Sequence, residues 1–165
     1  MAAGYKEITM RRKDREVTDF MKIENIISRC TCCRIGFYDE GEVYIVPLNF
    51  GYEVKDDTYT FYFHGAKEGR KIDFMKKNPV VGFEMDTDYA LKEADTACGY
   101  SARFQSIIGT GVVSIVSESD EKELGISLLM EHYTGKRKWD FDEKMMNAVA
   151  VFKLEVTKIS CKEHE

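Results

Sequence analysis

Apolar positions change period several times along the chain. Between residues 20 and 27 they fall at Phe20, Ile23, Ile26 and Ile27, three and four apart, the spacing of one buried helix face. Thr18 or Asp19 stands where an N-cap oxygen is needed. From Cys33 the period becomes two. Cys33 to Tyr38 reads as a strand, Asp39-Glu40-Gly41 as a short turn, and Val43 to Val54 as one long second strand. Lys55-Asp56-Asp57 turns the chain into Thr58 to His64, where Tyr59, Phe61 and Phe63 alternate with Thr60, Tyr62 and His64. Helical spacing returns from about Glu68 to Lys77, with Ile72, Phe74 and Met75 inward. It ends at Asn78-Pro79, because the residue before a proline disfavours helical backbone. Val80 to Asp86 is a fourth strand, with an extension to Leu91 left open, and Ser106 to Val116 a fifth. Ser117 or Ser119 opens a helix with an acidic first turn that runs to about Tyr133, and Ala148 to Ile159 is a sixth strand.

Six strands arranged as hairpins with helices between them predict an α+β fold, a mainly antiparallel six-stranded barrel with capping helices. Gly109-Thr110-Gly111 lies inside a strand and lacks a third glycine. It therefore marks strand curvature and not a dinucleotide-binding turn. No repeat, low-complexity tract or linker divides the chain, so residues 1–165 read as one domain, with 1–9 as a leader and 160–165 as a tail.

Composition narrows the function classes. A net charge of −5 argues against nucleic acid as a main partner, since duplex binding rests on Lys and Arg neutralising phosphates. No apolar run reaches the length of a membrane span, and no signal-peptide core is visible. Five cysteines, an odd count, fit a reduced cytoplasmic protein better than a disulfide framework. Cys30-Thr31-Cys32-Cys33 contains a C-x-x-C spacing, but no second ligand pair completes a zinc site, and a strand follows it where a redox motif needs a helix. Buried, inert thiols are the expectation, and no metal site is expected.

Two segments carry candidate chemistry. In Val46-Pro47-Leu48-Asn49-Phe50 a proline interrupts a strong strand pattern, so pairing breaks there or the strand is an edge. The main-chain groups of such an edge face either water or a flat ring with donors and acceptors along its rim. In His64-Gly65-Ala66-Lys67-Glu68-Gly69-Arg70-Lys71 a strand ends, small residues follow, and a helix begins with two cations. That arrangement suits a phosphate, through free N–H groups and the positive end of the helix dipole. An exposed, solvated Lys/Arg pair explains the same residues equally well. His64 either ends the sheet or, beside a bound cofactor, relays a proton. His132, late in its helix, is expected to be structural.

Taken together and in order, Arg34-Ile35-Gly36, Val46-Pro47-Leu48-Asn49-Phe50, His64-Gly65-Ala66, Gly69-Arg70-Lys71, Asn78-Pro79-Val80 and Ser106-Ile107-Ile108-Gly109 with Gly111 are a recognisable set. The chain resembles the nitroimidazole-resistance branch of the pyridoxamine 5′-phosphate oxidase-like flavoproteins from about Met10 to Lys158. The resemblance implies a split β-barrel, a homodimer, and FMN bound at the dimer interface. It implies Val46 to Phe50 along the flavin ring, His64 near it as the catalytic residue, and Gly65, Ala66, Arg70 and Lys71 around the phosphate. Ser106 would add a hydroxyl to the phosphate, and Trp139 or Tyr133 an aromatic from the partner. The implied activity is reduction of small electrophiles such as nitroaromatics, with NAD(P)H or another reductant as donor. The pyridoxamine oxidases proper carry a C-terminal arginine motif, whereas this chain has no arginine after Arg137, so pyridoxamine 5′-phosphate oxidation is not expected. Haem binding through His64 and a non-catalytic flavin module are the alternatives.

Overall fold

Asp19 caps the first helix. Its Oδ1 accepts from the Lys22 amide at 2.7 Å, and α1 (Phe20–Arg29) buries Ile23, Ile26 and Ile27. The computed structural model describes residues 10–165, so the expected leader lies outside the described residues. Before α1 comes a two-residue strand, β1 (Glu16–Val17). After it run β2 (Cys33–Asp39), β3 (Glu42–Leu48), β4 (Gly51–Lys55), β5 (Thr58–Gly65), α2 (Arg70–Lys77), β6 (Val80–Lys92), β7 (Ser101–Ile115), α3 (Ser119–Thr134), α4 (Glu143–Ala148) and β8 (Ala150–His164).

The strands form one antiparallel sheet in the order β3-β2-β6-β7-β8-β5-β4, with β1 on β8. The α+β barrel class holds, but the count is eight strands where six were expected. One extra strand is β1. The other arises because the segment read as continuous from Val43 to Val54 breaks at Asn49-Phe50. That break has a physical cause. β3 and β4 are consecutive in sequence yet sit at opposite edges of the sheet, and only two residues join them. So short a link requires the sheet to curl until its two edges meet without pairing, which makes a barrel with a seam.

Two other boundaries differ from expectation. Residues 160–164, expected as a tail, continue β8, with Cys161 opposite Ile107 and Val17 and His164 opposite Phe104. Their polarity hid them: Lys22 ion-pairs with Glu163, and His164 Nδ1 donates to the Ala102 carbonyl at 2.7 Å. β7 also starts at Ser101, five residues before the expected Ser106, and β6 takes the extension left open beyond Asp86, so the hairpin continues as a charged extension, bulged between Thr87 and Ala90, with Asp88 at φ 60°. Arg103 and Asp88 pair across it at 3.1 Å. The short α4 was not anticipated; Asp142 caps it through the Met145 amide.

Alternate side chains of the strands fill the barrel, among them Ile35, Phe37, Phe61, Phe83, Met85, Ile107 and Phe152, with Ile26 and Ile27 of α1. Outside, α3 covers β4, β5 and β8, burying Tyr62, Val116, Leu128 and Val151. Its approach is close enough to require glycine. A Cβ on Gly51 would lie 2.2 Å from the Leu129 nitrogen, and one on Gly125 2.8 Å from Tyr62 Cδ1. The outer face of β3-β2-β6-β7 has no such cover, and Val43, Ile45, Val80, Ile108 and Val112 are exposed there. Among the described residues no helix is long and apolar enough to cross a membrane.

Gly51→Ala is expected to destabilise the fold by on the order of 3 kcal/mol, because helix backbone and not a mobile side chain occupies the space. Urea unfolding measures it; an unchanged midpoint would contradict the close packing of α3.

Candidate functional site

The seam carries the groups singled out from the sequence. β3 pairs only with β2, so the N–H and C=O groups on its other edge have no strand partner. Val46 and Leu48 are half-buried, Pro47 and Asn49 exposed, and Phe50 fully buried. Proline is tolerated at position 47 because that edge makes no ladder. The Phe50 amide is not available to a ligand, since it donates to Tyr133 Oη at 3.2 Å.

At the other end of the seam, β5 outlasts β4. Their pairing starts at Gly51 opposite Tyr62, leaving Phe63, His64 and Gly65 beyond it. Phe63 turns into the core and His64 outward, exposed. Gly69 then caps α2, with a φ of 119° that glycine tolerates. The Ile72 and Asp73 amides both donate to the Gly69 carbonyl, at 2.9 and 3.2 Å, so the amides of Arg70 and Lys71 are the first-turn donors without a helical partner. Lys71 folds back over the bare face of Gly65. A Cβ there would lie 2.8 Å from its Cε and 3.0 Å from its Nζ. An ammonium, two free amides and a glycine without a side chain thus converge on one loop, with Ala66 exposed in it. That donor set is what a phosphate ester requires.

Arg70 is placed differently from expectation. Its guanidinium ion-pairs with Glu42 and stacks 4.7 Å from the Tyr44 ring centroid, tying α2 to β3. Both partners are about half exposed, so the pair is weak and exchangeable. Ser106 does not join the loop within one chain. It pairs with Asp86 and Lys162, whereas His64 lies opposite Val151 near the start of β8. Trp139 also stays away: its indole donates to the Lys136 carbonyl at 2.8 Å, and it lines a groove along α3 with Asp120, Leu124 and Ser127.

Tyr133 works inside its own chain. Its hydroxyl accepts from Phe50 and donates to the Thr31 carbonyl at 2.8 Å. His132 Nε2 donates to the Cys30 carbonyl at 2.7 Å, and its ring lies 4.4 Å from that of Phe50. The end of α3 therefore pins both the seam corner and the α1–β2 connection. Nothing in the sequence singles out this clamp, because its acceptors are main-chain atoms a hundred residues away. Burial lowers the His132 pKa from its ordinary value, partly offset by the bond to Cys30. Cys30 and Cys33 are buried as expected, whereas Cys32, on the opposite side of the chain, is only half-buried; burial pushes the Cys30 thiol up to about 12, far from a reactive thiolate.

A histidine whose folded pKa is depressed takes up a proton more readily when unfolded. Its contribution to stability is therefore present above its ordinary pKa of about 6.5 and lost as pH falls below it. Thermal unfolding from pH 7.5 to 5 should show stability falling with pH, and His132→Gln should flatten that slope. An identical slope in the variant would contradict a buried neutral His132.

The chain matches the family model described as pyridoxamine 5′-phosphate oxidase over residues 21–163. It is 31% identical to a candidate 5-nitroimidazole antibiotic resistance protein from Bacteroides thetaiotaomicron, with a TM-score of 0.77 over 90% of this chain and 86% of that one. The flavocytochrome Anf3 from Azotobacter vinelandii shares the fold at 19% identity and TM-score 0.78, over 95% of this chain and 72% of that one. So does an FAD- and haem-binding protein from Mycobacterium smegmatis, at 13% identity and TM-score 0.79, over 92% and 74%. No curated protein matches the sequence.

Proposed function

The chain belongs to the pyridoxamine 5′-phosphate oxidase family, and from that membership we propose that it binds FMN along the barrel seam and reduces small electrophiles such as nitroaromatic compounds. One observation carries the reading: the Lys71 ammonium, folded over Gly65 beside the free amides of α2, shares a seam with the unpaired edge at Val46 to Asn49. The residues fit a phosphorylated flavin, with a cation and helix amides for the phosphate and an open strand edge for the ring.

When bound, the flavin supplies two-electron transfer between a reductant such as NAD(P)H and the acceptor. The chain's own residues do the rest. Lys71 and the amides of Arg70 and Lys71 hold the phosphate. Arg70 joins them by leaving Glu42, an exchange between two charge-assisted contacts. The main chain of Leu48 and Asn49 aligns the ring rim, while the Tyr133 clamp on Phe50 keeps that corner in place. His64, outward at the end of β5, delivers a proton to the reduced acceptor. The setting is cytoplasmic.

The functional unit is a homodimer. Its support is the outer face of β3-β2-β6-β7, which α3 leaves open and where Val43, Ile45, Val80, Ile108 and Val112 stand exposed beside the Arg34–Glu84–Asp86 ion pairs. Only a second copy could bring Ser106 or Trp139 to the Lys71 loop, since one chain keeps them apart.

Lys71→Ala is expected to weaken FMN binding at least tenfold without lowering thermal stability, measured by flavin fluorescence titration. Unchanged affinity in a variant that folds would overturn the phosphate assignment. The visible spectrum of the purified protein separates the other readings. Bound flavin with no acceptor turnover would favour a non-catalytic flavin module, and a Soret band lost in His64→Ala would favour haem.

A further inference from the structure

Arg70 and Lys71 open α2 side by side, yet the fold sends their side chains to different strands. Successive residues of a helix point about 100° apart. Lys71 turns to Gly65 at the end of β5, and Arg70 turns to the start of β3. There its guanidinium ion-pairs with Glu42 and lies 4.7 Å from the Tyr44 ring centroid and 5.8 Å from that of Phe74. The two rings are stacked on each other, 5.6 Å between centroids. Glu42 and Tyr44 are two residues apart on β3 and so share a face. The aromatic pair is therefore a platform for the guanidinium, and the carboxylate fixes its end.

The main chain of Arg70 points the other way. Its amide is one of the two first-turn donors left without a helical partner. A phosphate on that amide lies within reach of the arginine's own side chain, which has to leave Glu42 to meet it. One guanidinium carries one charge, and two anions then compete for it. A phosphate monoester carries about two negative charges at neutral pH against one on the carboxylate, and both suit the planar fork. Glu42 and Arg70 are about half exposed, so their pair yields to the stronger anion. Glu42 also repels a phosphate bound beside it, so its whole effect on the filled site is unfavourable.

We propose that Glu42 is a built-in competitor for the ligand's phosphate: it holds Arg70 on β3 while the loop is empty, releases it when a phosphate monoester binds, and thereby sets how tightly the flavin is retained. The proposal rests on the cofactor reading above and adds the residue that opposes binding. Glu42 is a positioning residue, acting through Arg70. Filling the site unties α2 from β3, and the flavin is held less tightly than the donor set alone would allow.

Fluorescence titration with FMN and with riboflavin, which lacks the phosphate, tests it. Glu42 and Glu68 are both exposed, so replacing either removes no packing. Glu42→Gln is expected to tighten FMN binding roughly three- to fivefold and to leave riboflavin unchanged. Glu68→Gln takes the same charge from the loop without touching the Arg70 pair, and should change FMN affinity by less than about twofold. Arg70→Ala should weaken FMN binding, and adding Glu42→Gln to it should have no further effect. Unchanged or weaker FMN binding in Glu42→Gln would overturn the proposal. So would an equal gain in the Arg70→Ala background or in Glu68→Gln, which would reduce Glu42 to one charge among several near the loop. Those results count against the competitor alone as long as Lys71→Ala loses FMN affinity. A wild-type chain that binds FMN no better than riboflavin would instead overturn the phosphate reading itself, and the competitor with it.

Discussion

The structure depends on closing a sheet whose two edges cannot pair. β3 and β4 follow one another in sequence but lie at the ends of the strand order, and two residues span the gap. Without a ladder to hold the closure, other contacts must do so. Phe50 is driven into the core, its amide bonded to Tyr133, while Tyr133 and His132 reach the main chain at Thr31 and Cys30. Gly51 then lets α3 sit directly on the first residue of β4. One helix end thus fixes the seam corner from outside the barrel, where no backbone pairing could.

The same constraint produces the candidate site. An unpaired edge is ordinarily a liability, open to pairing with any other strand. Here Pro47 withholds a donor, and α2 crosses the open end through Arg70 on Glu42 and Tyr44 and Lys71 on Gly65. What stays open is a strand edge with unpaired main-chain groups and, across the seam, a loop with cationic and amide donors. A ligand with a flat polar ring and a phosphate would complete contacts that the fold leaves unmade. The division of the outer surface follows as well: α3 covers β4, β5 and β8, so the remaining sheet face keeps its apolar side chains exposed.

Much of this was legible in the sequence because it rests on local chemistry. Period-two runs with turn residues between them marked most strands. Asp19, Asn78-Pro79 and the Gly65–Lys71 run marked helix ends through their own side chains or φ preferences. The break after Pro47 was visible as a pairing problem, although the alternation from Val43 to Val54 disguised it as one strand. What stayed hidden is non-local. The final residues of β8 look like a solvated tail until Lys22, Ala102 and Ile107 are seen beside them. The clamp of His132 and Tyr133 acts on carbonyls that any residue would supply. Arg70 and Lys71 are neighbours with equal charge, and only the fold shows that one meets β3 and the other Gly65.

Amide hydrogen exchange with and without FMN tests the central claim most directly, because it reports on both ends of the seam at once. The account predicts slowed exchange in two separate stretches, the Leu48–Asn49 corner and the Gly65–Ile72 loop. Protection confined to some other region, or none at saturating FMN, would contradict a flavin phosphate held along this seam.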